Sequence, residues 1–97
     1  MTAVAFRGTV IEWRGPSPFY FLAVPDACYG ELREAARVAS YGWGCVPVSA
    51  RIGRHAFTTS LMPRNGGYLL PLKAAVRAAT GVAVGDAVDA TLTVSGD

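Results

Sequence analysis

Gly67-Tyr68-Leu69-Leu70-Pro71-Leu72-Lys73-Ala74-Ala75-Val76-Arg77-Ala78-Ala79-Thr80-Gly81, running on through Val82-Ala83-Val84-Gly85-Asp86, is the stretch whose reading decides the architecture. Tyr68 to Leu70 read as extended chain. Pro71 has no amide donor and a fixed φ, so it is expected to end that strand and to set up a helix entrance. Leu72, Ala75, Val76 and Ala79 fall at i, i+3, i+4 and i+7, which predicts one buried stripe, with Lys73 and Arg77 on the polar side. Gly81 is expected to close the helix, because glycine takes the left-handed C′ conformation without a Cβ penalty. Gly85-Asp86 then reads as a turn. Val88, Ala90, Leu92 and Val94 alternate with Asp89, Thr91, Thr93 and Ser95, the pattern of a half-buried strand.

The chain ahead of this stretch reads in the same terms. Ala3 to Trp13 is strand-like, with Phe6 and Val10 on one face and Ile11 and Trp13 on the other, so both faces are expected to meet protein. Arg14 to Pro18 is a turn by composition. Phe19 to Val24 is apolar on both faces and is predicted to be a central strand. Pro25-Asp26 opens a helix with Asp26 as N-cap, Leu32, Ala35, Ala36 and Ala39 as its apolar stripe, and Ser40 to Gly44 as its break. Val46, Val48, Ala50 and Ile52 form one face of a strand whose Pro47 belongs at an edge or at the first residue. Gly53-Arg54 is a two-residue hairpin turn into a strand from His55 to Leu61. Met62 to Gly67 reads as a loop in which Asn65-Gly66 favours a tight reversal.

Each half of the chain therefore reads strand, strand, helix, strand, with Phe21 to Pro25 answering Tyr68 to Pro71. A degenerate two-fold duplication follows, in which one chain supplies both halves of a barrel. Closure would remove exposed sheet edges. The predicted fold class is mainly β: a small closed barrel with two short α-helices and a pseudo-two-fold internal duplication, residues 1–97 forming a single domain.

The order strand, Leu70-Pro71, Lys73, Arg77, Gly81, Gly85-Asp86, strand resembles the swapped-hairpin, double-split barrel of the AbrB and MazE transcription regulators. More of the chain, from Phe6 to Trp13 through Tyr20-Phe21, Val24-Pro25, Gly42-Trp43-Gly44, Pro47-Val48, Ser60-Leu61, Pro63-Arg64 and Gly67-Tyr68 to Gly85-Asp86, is similar to the bacterial domain-of-unknown-function family numbered nineteen-oh-five. That resemblance implies an AbrB-like fold in a monomer and no established reaction. Some members of the family carry a C-terminal extension related to bacteriocin-protection proteins; this sequence ends at Asp97, so nothing of that extension's activity is carried over.

With 97 residues, 52% of them hydrophobic and 16% charged, the composition is that of one compact domain. Its apolar runs are far shorter than the ~20 residues of a membrane-spanning helix, so no membrane partner is expected. Met1 to Arg7 lacks a basic segment followed by a long apolar one, and the expected location is the cytoplasm. Cys28, Cys45 and His55 are too few ligands for a four-coordinate zinc site, and no cofactor is expected. Nucleotide-loop, nucleophile-elbow and zinc-protease patterns are missing from the sequence, and Ser60 and His55 fall on opposite faces of one strand, so an enzyme is not expected.

Net charge is +2, unevenly spread: from Ala35 to Gly85 there is no acid, while Arg37, Arg51, Arg54, Arg64, Lys73 and Arg77 lie there. Six cations in fifty positions can equally point in different directions. Arg64, Lys73 and Arg77 are the candidate anion-binding set, against the simpler reading that Arg77 answers the dipole at its helix C-terminus. Trp43, between two glycines, is either a barrel cap or the wall of a pocket shared with Trp13, Tyr20 or Tyr68. The expected function is a non-enzymatic cytoplasmic binding module for a small, in one variant anionic, ligand or a protein partner, with Trp43, Arg64, Lys73 and Arg77 as its site. AbrB-like nucleic-acid binding is the rival, weakened by the monomer the resemblance implies and by so few cations.

Overall fold

The computed structural model describes residues 3–15, 18–39 and 45–94. Six strands, β1 (Ala3–Trp13), β2 (Phe19–Ala23), β3 (Val46–Ile52), β4 (His55–Arg64), β5 (Gly67–Pro71) and β6 (Ala87–Val94), close into one barrel in the order β1-β2-β5-β4-β3-β6. All neighbours are antiparallel. The helix α1 (Tyr29–Ala39) follows β2 through a single 3-10 turn, Asp26–Cys28, and α2 (Ala74–Thr80) follows β5.

The duplication is visible in the ladder itself. Exchanging β1, β2 and β3 for β4, β5 and β6 leaves every neighbour relation of the barrel unchanged. At the centre of the exchange Leu22 pairs with Leu70, flanked by Phe21 with Pro71 and Ala23 with Leu69, so equivalent residues of β2 and β5 lie 48 positions apart. The bonds that end these strands obey the same rule: Val24 N–H donates to the Tyr68 carbonyl at 3.3 Å, and Leu72 N–H to the Tyr20 carbonyl at 2.8 Å. Closure comes from the two long strands. β1 pairs with β6 as far as Thr9 and with β2 from Val10, while β4 pairs with β3 as far as Leu61 and with β5 from Met62. Gly8 sits just before the first of these changes of partner, and a Cβ there would overlap the Ala23 carbonyl oxygen.

Inside the barrel the alternation predicted for β3 and β6 holds: Val46, Val48, Ala50 and Ile52 meet Val88, Ala90, Leu92 and Val94. Leu22, Leu61 and Leu70 are fully enclosed beside them. Each such side chain contributes about 1.5–3 kcal/mol by leaving water. No residue of the interior is polar among those described.

Several local readings are corrected. β1 buries one face only, Val4, Phe6, Gly8 and Val10, because its first half pairs with β6 and turns Arg7 outward to Asp89; Ile11 is half-buried and Trp13 is 48% exposed. Asp26 does not cap the first helix: it is the first residue of the 3-10 turn, Pro25 holds the N-cap position, and no side chain caps it. The segment Met62 to Gly67 is not a loop. β4 runs to Arg64 with Pro63 opposite Tyr68, and the reversal is the pair Asn65 (φ 51°) and Gly66 (φ 79°) alone.

The stripe read for α2 also narrows. Leu72 and Val76 are buried, but Ala75 and Ala79 are exposed, since a seven-residue helix beginning at Ala74 touches the barrel along a single turn. Pro71 is the last residue of β5, two positions short of the Lys73 N-cap. Gly81 does take the left-handed C-cap, φ 72°, with its N–H on the Arg77 carbonyl at 2.8 Å. The break predicted from Ser40 to Gly44 lies outside the described residues, as does Trp43.

Candidate functional site

An interior filled with aliphatic side chains leaves chemistry to the outside of the barrel. The outer face of β1, β2, β5 and β4 is unusually apolar, and the register shows why. Trp13 lies opposite Phe19, Ile11 opposite Phe21, Phe21 opposite Pro71, and Leu69 opposite both Ala23 and Met62, so apolar rows run across four strands. Trp13 and Phe21 rings pack at 6.3 Å. Phe21 is 3% exposed, yet Phe19 is 59% exposed.

This face carries a cleft of about 690 Å³. Trp13, Phe19, Phe21 and Met62 form its apolar walls, and Lys73 at the N-cap of α2 and Arg77 in its last turn form its charged side. Arg77 is held in place twice. Its guanidinium lies over the Tyr20 ring, 4.0 Å from the centroid, and its Nε donates to the Leu72 carbonyl at 3.1 Å. A cation over an aromatic face is stabilised by the ring quadrupole. Using Nε this way leaves the two terminal nitrogens as the fork that a carboxylate or phosphate pairs with. Arg77 belongs to the last turn of α2, as the sequence reading had it, and its side chain turns back to the Leu72 carbonyl ahead of the helix. No acid lines this cleft among the described residues.

A second cleft of about 380 Å³ lies across Trp13, which lines both. Its lining is the first cleft's under the two-fold exchange: Tyr68 for Tyr20, Leu69 for Phe21, Ala23 for Pro71, Val24 for Leu72, and Tyr29 for Arg77. Arg64 answers Trp13, since Arg64 pairs with Gly67 as Trp13 pairs with Phe19. These two equivalents touch, the Arg64 guanidinium lying 4.6 Å from the Trp13 centroid. The content differs. Tyr29 packs edge-on against Tyr68 at 6.2 Å, and its ring lies where a Cβ on Gly67 would stand. Burial first, then the charge and hydrogen bond of Asp26, raise the Tyr29 phenol above its ordinary pKa.

Of the residues singled out in the sequence, Lys73 and Arg77 share the larger cleft, Arg64 lines the smaller one, and Trp43 lies outside the described residues. Trp13 and Tyr20, named there only as companions of Trp43, are central. Phe19 and Met62 were not legible. Phe19 looks like any apolar strand residue, and Met62 falls in a segment that reads as a loop. The remaining candidates for chemistry are scattered. His55 stacks on Phe57 at 5.7 Å, Cys28 is half-buried with its thiol pKa raised by burial and then by Glu31, and no group of His, Cys, Asp and Glu among the described residues could hold a metal ion. Cys45 and Ser60 both line the larger cleft. No helix among the described residues is long and apolar enough to cross a membrane.

Fold and site together define a class: a six-stranded antiparallel barrel built from two like halves, with an aromatic, cation-edged cleft on its outer face. Residues 6–92 match the family described as Domain of unknown function (DUF1905), and the chain belongs to that family. The match covers β2 to β5 and both helices in full and all but the outer ends of β1 and β6. Comparison with curated proteins gives no match.

Proposed function

We propose that this protein is a non-enzymatic binding module that takes a small amphipathic anion in the cleft between Trp13, Phe19 and α2. The observation that carries this reading is Arg77: a guanidinium fixed on Tyr20 and on the Leu72 carbonyl, its free fork beside a wall of exposed aromatic side chains. Holding a long cation in one rotamer has an entropic cost. Here the cost is met before a ligand arrives, which favours binding. A cleft of this volume, mostly apolar with a few placed charges, has the proportions of a small-molecule site. Lys73 beside it adds a second, flexible positive charge.

The test is a thermal-shift and NMR titration of the protein with a panel of aliphatic and aromatic carboxylates and phosphates. Anions with an apolar body are expected to stabilise the fold and to move the Trp13 indole and Arg77 side-chain signals, and Arg77→Ala to weaken them about tenfold or more, the value of a charged hydrogen-bonded contact. A short DNA duplex belongs in the same panel, at about 50 and 200 mM salt, because phosphate contacts betray themselves by a steep salt slope. DNA binding that falls with salt and with Arg64→Ala, alongside silence from every small anion, would replace this reading by the nucleic-acid one.

A further inference from the structure

We infer that the ligand of the larger cleft is a planar aromatic ring bearing one carboxylate; the inference rests on the binding reading above and specifies its chemistry. The first ground is the molecule's own second copy of the site. In the smaller cleft an aromatic ring is already seated: Tyr29 stands edge-on to Tyr68 at 6.2 Å and covers Gly67. The backbone beneath it is that of the larger cleft, where Tyr20 and Phe19 hold the places of Tyr68 and Gly67. On that ground a planar group packs in both clefts, the Tyr29 ring against Tyr68 in one and the Arg77 guanidinium over Tyr20 at 4.0 Å in the other.

The second ground is the shape of the open walls. Trp13 and Phe19 are opposite one another in the β1–β2 ladder and are 48% and 59% exposed. Rings placed so offer flat faces and edges, which a planar guest matches and a puckered one of equal bulk does not. The third ground is the Arg77 fork. With Nε bonded to the Leu72 carbonyl at 3.1 Å, the side-on mode of pairing is used up, and the end-on pair of terminal nitrogens remains. Two parallel donors fit the two oxygens of one carboxylate. Tyr20 at 4.0 Å keeps that fork from turning.

The probes are 2-naphthoate, its saturated analogue decahydro-2-naphthoate, and the neutral 2-naphthylmethanol, titrated by calorimetry with the Trp13 indole N–H followed by NMR. The expected order has 2-naphthoate tightest, about three- to tenfold ahead of the saturated acid from aromatic pairing and about tenfold or more ahead of the alcohol from the carboxylate. Phe19→Ala is expected to remove the preference for the planar acid, and Arg77→Gln the preference over the alcohol. Tyr29→Ala, outside the open cleft, is expected to leave the order unchanged. If the saturated acid binds as tightly as 2-naphthoate, planarity is not read and the inference falls while the binding reading stands. Equal binding of the alcohol has the same consequence for the carboxylate. If no probe and no member of the wider anion panel binds at millimolar concentration, both readings fall together.

Discussion

Beside α2 the barrel's outer face is open, with Phe19 standing in water and Arg77 laid flat on Tyr20; beside α1 the equivalent ground is covered, with Tyr29 pressed on Tyr68 and no side chain at Gly67. The backbone beneath is the same in both places, down to the paired hydrogen bonds that end β2 and β5. Two differences therefore separate the smaller cleft from the larger: Tyr29 against Arg77, and Gly67 against Phe19. Tyr29 adds apolar burial over Tyr68 and Gly67 on the side of α1, and apolar burial of this kind stabilises the fold.

The comparison breaks first, if it breaks, at the centre of the exchange. Leu22 and Leu70 pair across the two halves and are both fully buried. Truncating either to alanine removes the same packing, and each variant is expected to lose about 2–5 kcal/mol in urea unfolding. Losses that differ between the two by more than about 3 kcal/mol, outside the usual spread for one site chemistry, would argue against an equivalent scaffold.

A smaller effect is expected at Gly67. Gly67→Ala places a methyl group where the Tyr29 ring lies, and overpacking of this kind costs about 1–3 kcal/mol. The ring, unlike backbone, can move aside, so the same change made on top of Tyr29→Ala is expected to be nearly free, and a double-mutant cycle measures the difference. Phe19→Ala, the equivalent position in the open cleft, is expected to change stability by about 0.5 kcal/mol or less, as surface changes do. A large loss there would mean that Phe19 is structural and the cleft is not open in solution.

Between the clefts, the Arg64 stack on Trp13 sharpens the comparison. Arg64→Ala is expected to lower stability by about 0.5–1 kcal/mol, the value of an exposed cation on a ring, and to change Trp13 fluorescence in the ligand-free protein. The smallest effect belongs to Arg7 and Asp89, whose bidentate pair at 2.9 Å is exposed and lines neither cleft. The hydrogen bond from Arg7 holds the Asp89 carboxyl below its ordinary pKa. A depressed carboxyl stabilises the fold above its unfolded-state pKa, and that contribution is lost as pH falls through the lower folded value. The stability of Asp89→Asn is therefore expected to differ slightly from the parent at neutral pH and to converge with it in acid, by parallel thermal melts. Ligand binding is expected to be untouched.

How much of this was legible can be argued residue by residue. Gly81, Gly85, Asn65-Gly66 and Gly53 mark turns because their conformations are local, and local conformational preference survives whatever tertiary structure does. The alternation of Val46 to Ile52 and of Val88 to Val94 reports a two-residue period that no neighbour can change. Ala75 and Ala79 misled because a helical stripe states which residues share a side, not how much of that side is covered. Met62 to Arg64 misled because a proline and an arginine read as loop, whereas the outward, terminal part of a long strand tolerates both. The site was half legible: Lys73 and Arg77 are neighbours by helical spacing alone, but Phe19 and Met62 join them only through the β2–β5–β4 ladder.

By itself the sequence determined the elements, their turns and the two-fold repeat of strand, strand, helix, strand, since each rests on spacing of a few residues and on backbone preference. Tertiary structure decided which strands meet, and through them that Trp13 faces Phe19 and that Tyr29 and Arg77 are counterparts 48 positions apart. How large a cleft is and what lines it depends on side chains brought together from distant strands, and that juxtaposition exists only once the barrel has closed.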